Sequence, residues 1–180
     1  MAGVVIEGPV VEEDIRVALL RLMRKKPYNK ITVAEIARVA GVDRATCYRH
    51  FDNKDAIVTS YYDDYLTECV ERFRRSGGQD MGTYLACVFS VALERKDDML
   101  AVYRAGAAYL LLDVLSARFR LEVFTRADEP LAQYAVAYHV GGIYNDMLLW
   151  FGRDMRESAA QMTRVALASR TRGDFTLLNF

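Results

Sequence analysis

Between Arg44 and His50 the chain places two arginines, a threonine, a tyrosine and a histidine around one small alanine. These residue types at helical spacing suit recognition of double-stranded DNA. Arg44 can bond a guanine edge bidentately, Thr46 can reach a base edge, and Ala45 lets a helix backbone come close to the groove floor. Tyr48, Arg49 and His50 carry donors suited to phosphate oxygens. Thr32 and Lys54 stand at two expected helix N-termini, where backbone N–H groups favour anions. The expected DNA contacts are therefore Thr32, Arg44, Ala45, Thr46, Tyr48, Arg49, His50 and Lys54.

Other chemistries find little support. Cys47, Cys69 and Cys87 form no CxxC pair, and His50 and His139 lie far apart, so neither a metal site nor a disulfide framework is expected. No nucleophile–base pair, carboxylate pair or phosphate loop stands out, so the chain is not expected to be an enzyme or to need a cofactor. The apolar runs are too short to span a bilayer. No basic-then-apolar leader is evident, and a cytoplasmic location is expected.

The elements that would carry these residues are helices. Ile15, Ala18, Leu19, Leu22 and Met23 make one apolar stripe, which Pro27 and Asn29 end. Thr32 followed by Glu35 is a capping box for a short second helix. Val33, Ile36, Ala37 and Ala40 form its apolar stripe, and Gly41 stops it. Asp43 can cap a third helix running from Arg44 to Phe51, with Cys47 and Phe51 turned inward. Asp52 or Asn53 caps a fourth from Lys54 to about Ser76. Helix, glycine turn, helix is the arrangement that lays a second helix in the major groove.

Charge agrees once it is resolved along the chain. The net formal charge is zero, yet residues 15–54 hold ten Lys and Arg against three Asp and Glu, while residues 1–14 hold four acids and no base. A basic block on a neutral body is the electrostatic footprint of a small nucleic-acid-binding module.

The stretch KITVAEIARVAGVDRATCYRHFDNKDAI resembles the DNA-binding domain of the TetR family of bacterial regulators. Thr32, Val33, Ile36, Ala37, Ala40, Gly41, Val42, Tyr48, Phe51 and Lys54 fall in the family's register. The resemblance implies that Arg44, Ala45 and Thr46 read bases and that Thr32, Tyr48, His50 and Lys54 hold phosphates. Two positions depart from the pattern. Asp43 replaces a usual Ser or Thr, and Cys47 replaces a usual Leu or Phe. Cys47 reads either as a smaller core residue or as a thiol switch inside the reading helix.

Past residue 55 the chain reads as a larger helical body, with further helices near 80–94, 98–104, 107–126, 130–151 and 156–170. The expected fold is all-α, with about nine helices in total. Residues 1–55 form a DNA-binding domain and 56–180 an effector-binding and dimerisation domain. The resemblance implies that the last two long helices pair with a second copy. Gly141, Met147, Trp150, Phe151, Met162 and Val165 are candidates for that interface, with intrachain core as the alternative. It also implies a small apolar or aromatic effector between the middle helices. Tyr103, Tyr109, Tyr138 and His139 are candidates for its site, and Phe124 adds to the aromatic supply. The expected partners are thus a palindromic DNA operator, a second copy and an effector, with release of a repressor as the output. A body that binds a protein coregulator is the second reading.

Overall fold

The computed structural model describes residues 8–123 and 130–171. The expected positions of Phe124, of the break before Pro130 and of the apolar tail 173–180 lie outside the described residues. Nine α-helices and one short 3-10 turn follow one another, with no strand among the described residues.

The first helix, α1 (Gly8–Met23), starts earlier than its stripe suggested, because Val11 extends the buried row one turn back from Ile15. A 3-10 turn, Tyr28–Lys30, leads to α2 (Val33–Ala40). The Glu35 amide donates to Thr32 Oγ1 at 3.3 Å, and the Thr32 amide donates to Glu35 Oε2 at 3.0 Å, which completes the capping box. Gly41 closes α2 at φ +74°. That conformation costs an L side chain but not glycine.

Helix α3 (Arg44–His50) is capped by Asp43, whose Oδ1 accepts the Thr46 amide at 2.6 Å. Asn53, rather than Asp52, caps the 22-residue α4 (Lys54–Arg75), accepting the Ala56 amide at 2.9 Å. The body continues through α5 (Met81–Glu94), α6 (Lys96–Arg104), α7 (Leu110–Val123), α8 (Pro130–Gly152) and α9 (Ala159–Thr171). Two of these start later than the sequence suggested. Gly106, at φ +85°, inserts a turn before α7. Asp154 and Met155, at φ +58° and +49°, make a sharp corner before α9, which Ser158 then caps.

One apolar cluster runs from Val11 and Ile15 of α1 to Met162 and Ala166 of α9. Its centre is aromatic. Tyr62, Tyr65, Phe89 and Trp150 are all fully buried, and Tyr65 donates its hydroxyl to the Val88 carbonyl at 2.9 Å. Burial of such rings is the main stabilising term for a chain this size.

The first three helices are held on the body by named contacts. Arg16 of α1 reaches Ser60 Oγ at 2.9 Å and Asp64 at 2.7 Å, both on α4. Arg24 pairs with Asp98 of α6. The Tyr28 amide donates to the Ala105 carbonyl, at the end of α6, at 2.8 Å.

Candidate DNA-recognition face

Helix α3 turns Cys47, and Phe51 just past its end, into the core, while Arg44, Ala45, Tyr48 and Arg49 stay exposed. The capped first turn therefore presents the expected base readers to solvent on a backbone fixed from behind. The Asp43 carboxyl is held below its ordinary value, chiefly by the Thr46 amide that it accepts. Its charge is thus committed to the cap, which answers the cost of an acid close to phosphates.

The side chains on this face are paired along the helix. The Arg44 guanidinium donates to Tyr48 Oη at 3.2 Å and lies 5.3 Å from the ring centre. Arg49 donates to Thr46 Oγ1 at 3.0 Å. Reading and anchoring residues are therefore organised in couples.

Two expected phosphate anchors have protein partners. His50 is half-buried, and its Nδ1 lies 3.1 Å from Glu12 Oε1 of α1. Lys54 donates to the Tyr28 carbonyl at 2.9 Å and to the Ile31 carbonyl at 3.2 Å, with its ammonium 4.2 Å from the Tyr28 ring centre. The Tyr28 hydroxyl in turn donates to Asp55, and burial together with that carboxylate pushes the phenol well above its ordinary range. Lys54 thus ties the turn before α2 to the start of α4. Charge-assisted bonds of this kind contribute about 1.5–3 kcal/mol. Lys54→Met keeps the aliphatic stem and removes the donors. It is expected to lower the melting temperature by about 4–10 °C at the usual conversion for chains of this size. Unchanged melting in that variant, read by circular dichroism, would show that Lys54 has no structural part.

Sequence reasoning passed over Lys30 and Arg38. Both are exposed, and neither side chain has an ion pair or hydrogen bond among the described residues, while Lys26 is held by Glu35 at 2.5 Å. That contact, with the Thr32 bonds, draws the Glu35 carboxyl down to about 2. The basic block was legible, but which of its cations are spent inside the protein was not, because their acidic partners lie up to 74 positions away.

Cys47 is only 1% exposed, and burial first, then the Asp43 charge, raises its thiol above the ordinary value. A protonated, enclosed thiol is a poor nucleophile, so Cys47 is a small core residue.

In the body, the four aromatic effector candidates do not converge. Tyr109 and Tyr138 are 50% and 67% exposed, Tyr103 packs edge-on against Phe151, and His139 lines a groove on α8. The interface candidates divide. Met147, Trp150, Phe151 and Met162 are at most 5% exposed within a single chain. They fill the core because α8 is apolar on nearly every side, and it packs against α7, α6 and α9, with Phe89 of α5 on Trp150. Trp150 also donates Nε1–H to the Glu157 carbonyl at 3.0 Å. Val165 stays 45% exposed, and Gly141 is half-buried.

Gly141 and Gly142 line a groove of about 400 Å³ with Tyr138, His139, Asn145, Asp146, Ala166 and Ser169 among its walls. A Cβ built on either glycine meets nothing within 4 Å. Burial raises the Asp146 carboxyl above its ordinary value. A second, more open cleft of about 630 Å³ lies between α4 and α7, where Asp63, Asp113 and Arg118 supply the charges. No helix among the described residues is long and apolar enough to cross a membrane.

Comparison with known proteins fits this geometry. Residues 15–61 match the model of the bacterial regulatory proteins of the tetR family. The uncharacterized HTH-type transcriptional regulator YvdT of Bacillus subtilis is 25% identical over 101 residues, which are 53% of this chain and 52% of that protein. The chain thus spans about half the length of that curated relative. The fatty acid degradation regulator FadR of Bacillus halodurans superposes with a TM-score of 0.59 at 17% identity, covering 94% of this chain and 98% of that one. FadR of Thermus thermophilus, a TetR-family repressor solved with lauroyl-CoA, superposes with a TM-score of 0.52 at 21% identity, covering 87% and 91% of the two chains. These structural likenesses show the fold of most of the chain, and the family model covers its DNA-binding segment. With the capped, outward-facing α3 behind its glycine turn, the match identifies residues 15–61 as a DNA-binding segment of the kind found in the tetR family of bacterial regulatory proteins.

Proposed function

We propose that the protein works as a homodimeric repressor that sets two copies of α3 into successive major grooves of a palindromic operator. The observation that carries this reading is the outer face of α3. Arg44, Ala45, Tyr48 and Arg49 are exposed on a helix locked to the core by Cys47 and by Phe51 just past its end. Arg44 and Thr46 read bases, and Thr32 and Arg49 contact phosphates. Lys30 and Arg38, two cations without a side-chain partner among the described residues, add to the phosphate set. Residues 1–55 form the reading head and 56–180 the effector and dimerisation body, acting on DNA in the cytoplasm.

Two-fold assembly is supported by α8. Glycine within a helix costs about 0.5–1 kcal/mol relative to alanine. Neither Gly141 nor Gly142 repays that cost inside its own chain, since a Cβ would meet open space. Close approach of a partner helix explains both, and the groove they open is flanked by the exposed Tyr138.

For release, a small apolar or aromatic effector suits the cleft between α4 and α7. Structural neighbours include FadR of Thermus thermophilus with lauroyl-CoA and FadR of Bacillus subtilis with stearoyl-CoA. Arg118 lies 3.4 Å from Asp63 and offsets it, so Asp113 leaves this cleft with a net negative charge that disfavours a polyphosphate head group. One observation favours the second reading, a protein coregulator. Tyr62, Tyr65, Phe89 and Met147 are 0% exposed, so no water-sized space borders them.

Binding to a duplex selected from random sequence tests the proposal. The palindrome is expected to bind at least ~100-fold more tightly than its half-site, with affinity falling steeply as salt rises. Equal affinity for palindrome and half-site would sink the two-fold reading. A melting-temperature screen against uncharged, cationic and acyl-CoA ligands separates the two kinds of release, because only a bound ligand raises the transition.

A further inference from the structure

We propose that Tyr48 is a positioning residue for base reading: it holds the Arg44 guanidinium in one orientation, so that the base preference of Arg44 depends on a residue one helical turn away. The inference rests on the DNA-reading role of α3 proposed above.

Tyr48 is 44% exposed, on a helix of seven residues whose core contacts are made by other side chains. A large ring left in solvent on such a helix does not serve packing. What it does touch is Arg44, through the 3.2 Å bond to its hydroxyl and the approach of the guanidinium carbon to its ring. The spacing is i, i+4, which places the two side chains on one face of α3.

An arginine carries five N–H donors, and the contact with Tyr48 uses one of them. The rest stay available for the O6 and N7 acceptors of a guanine. A free arginine must lose most of its side-chain freedom on reaching that edge, and a ring platform removes part of the freedom beforehand. The expected gain is roughly tenfold in discrimination at the base pair that Arg44 reads. On the neighbouring face Arg49 holds the Thr46 hydroxyl, and the Asp43 cap holds the Thr46 amide, so the backbone beneath the pair is fixed.

A plain phosphate contact by Tyr48 predicts something different. It would supply affinity without information, and its loss would weaken every sequence equally.

The test selects preferred duplexes from a randomised pool with the full chain, then measures single-base variants of the winner with Arg44→Ala, Tyr48→Ala, Tyr48→Phe and the double Arg44→Ala/Tyr48→Ala. Arg44→Ala is expected to erase a guanine preference at one position of each half-site. Tyr48→Ala is expected to flatten that same position by about tenfold and to leave the other positions sharp. Tyr48→Phe keeps the ring and is expected to retain most of the preference. The double variant is expected to be no flatter than Arg44→Ala alone. A Tyr48→Ala protein that loses affinity equally on all duplexes, with the Arg44 position still sharp, overturns the proposal. If the wild-type chain selects no sequence at all, the DNA-reading role itself fails and the proposal with it. If the pool is sorted but Arg44→Ala changes nothing, the DNA reading stands and the link between Tyr48 and Arg44 falls alone.

Discussion

Trp150→Ala is expected to lower the free energy of unfolding by about 3–5 kcal/mol, the range for truncating a large buried aromatic. The indole is 1% exposed, meets Phe89 edge-on with ring centres 5.7 Å apart, and stacks beside Phe151 at 6.3 Å. Its Nε1–H satisfies the Glu157 carbonyl across the α8–α9 corner. Removing it leaves a cavity at the meeting point of α5, α8 and α9 and strands that carbonyl. Denaturant titrations at several protein concentrations should show the same difference from wild type at each. A tryptophan at a subunit interface would behave otherwise, leaving subunit stability alone and shifting only the midpoint of dissociation. That outcome would place Trp150 at a subunit interface.

The double substitution Gly141→Ala/Gly142→Ala should act in the opposite sense on the two quantities. Each alanine favours the helix by about 0.5–1 kcal/mol, and nothing in the chain lies within 4 Å to object. The subunit should therefore melt higher when measured dilute. In a two-fold interface each added methyl occurs twice, and overpacking costs about 1–3 kcal/mol per site. Dimer dissociation should become at least ~100-fold easier, as read by sedimentation velocity. A variant that melts higher and dimerises like wild type would show that the α8 groove faces no partner helix.

Much of the head was legible because its signals are local. The Thr32–Glu35 box, the stop at Gly41 and the Asp43 cap each act within four residues, and each stands where its spacing placed it. The commitments of His50 and Lys54 were not legible in the same way. Glu12 is 38 positions from His50, and the Tyr28 carbonyl is 26 positions from Lys54, so only the tertiary fold could reveal them. In the body, α8 is apolar around most of its circumference. Its periodicity could not say which side meets the chain and which side meets something else, and Trp150 and Gly141 looked alike as interface candidates. The corner at Asp154 and Met155 was unreadable for a different reason. Methionine rarely takes a positive φ and no glycine marks the bend, and the corner is held by α6, through Arg104 on the Asp154 carboxylate at 2.8 Å and Lys96 on the Met155 carbonyl at 3.3 Å.

The contacts of α1 bear on how such a regulator can be recombined. Arg16 reaches Ser60 and Asp64, Arg24 reaches Asp98, and Tyr28 is bonded to Ala105, so the reading module is keyed to α4 and α6. A seam cut at residue 55 would sever each of these locks. A chimera that borrows this head for another body inherits a working joint only if Ser60, Asp64, Asp98 and the bend at Ala105 travel with it. The natural unit of exchange is therefore a set of matched surfaces that the chain order interrupts, and new pairings of reader and body would be found more readily by substituting the outer face of α3 than by trading the head.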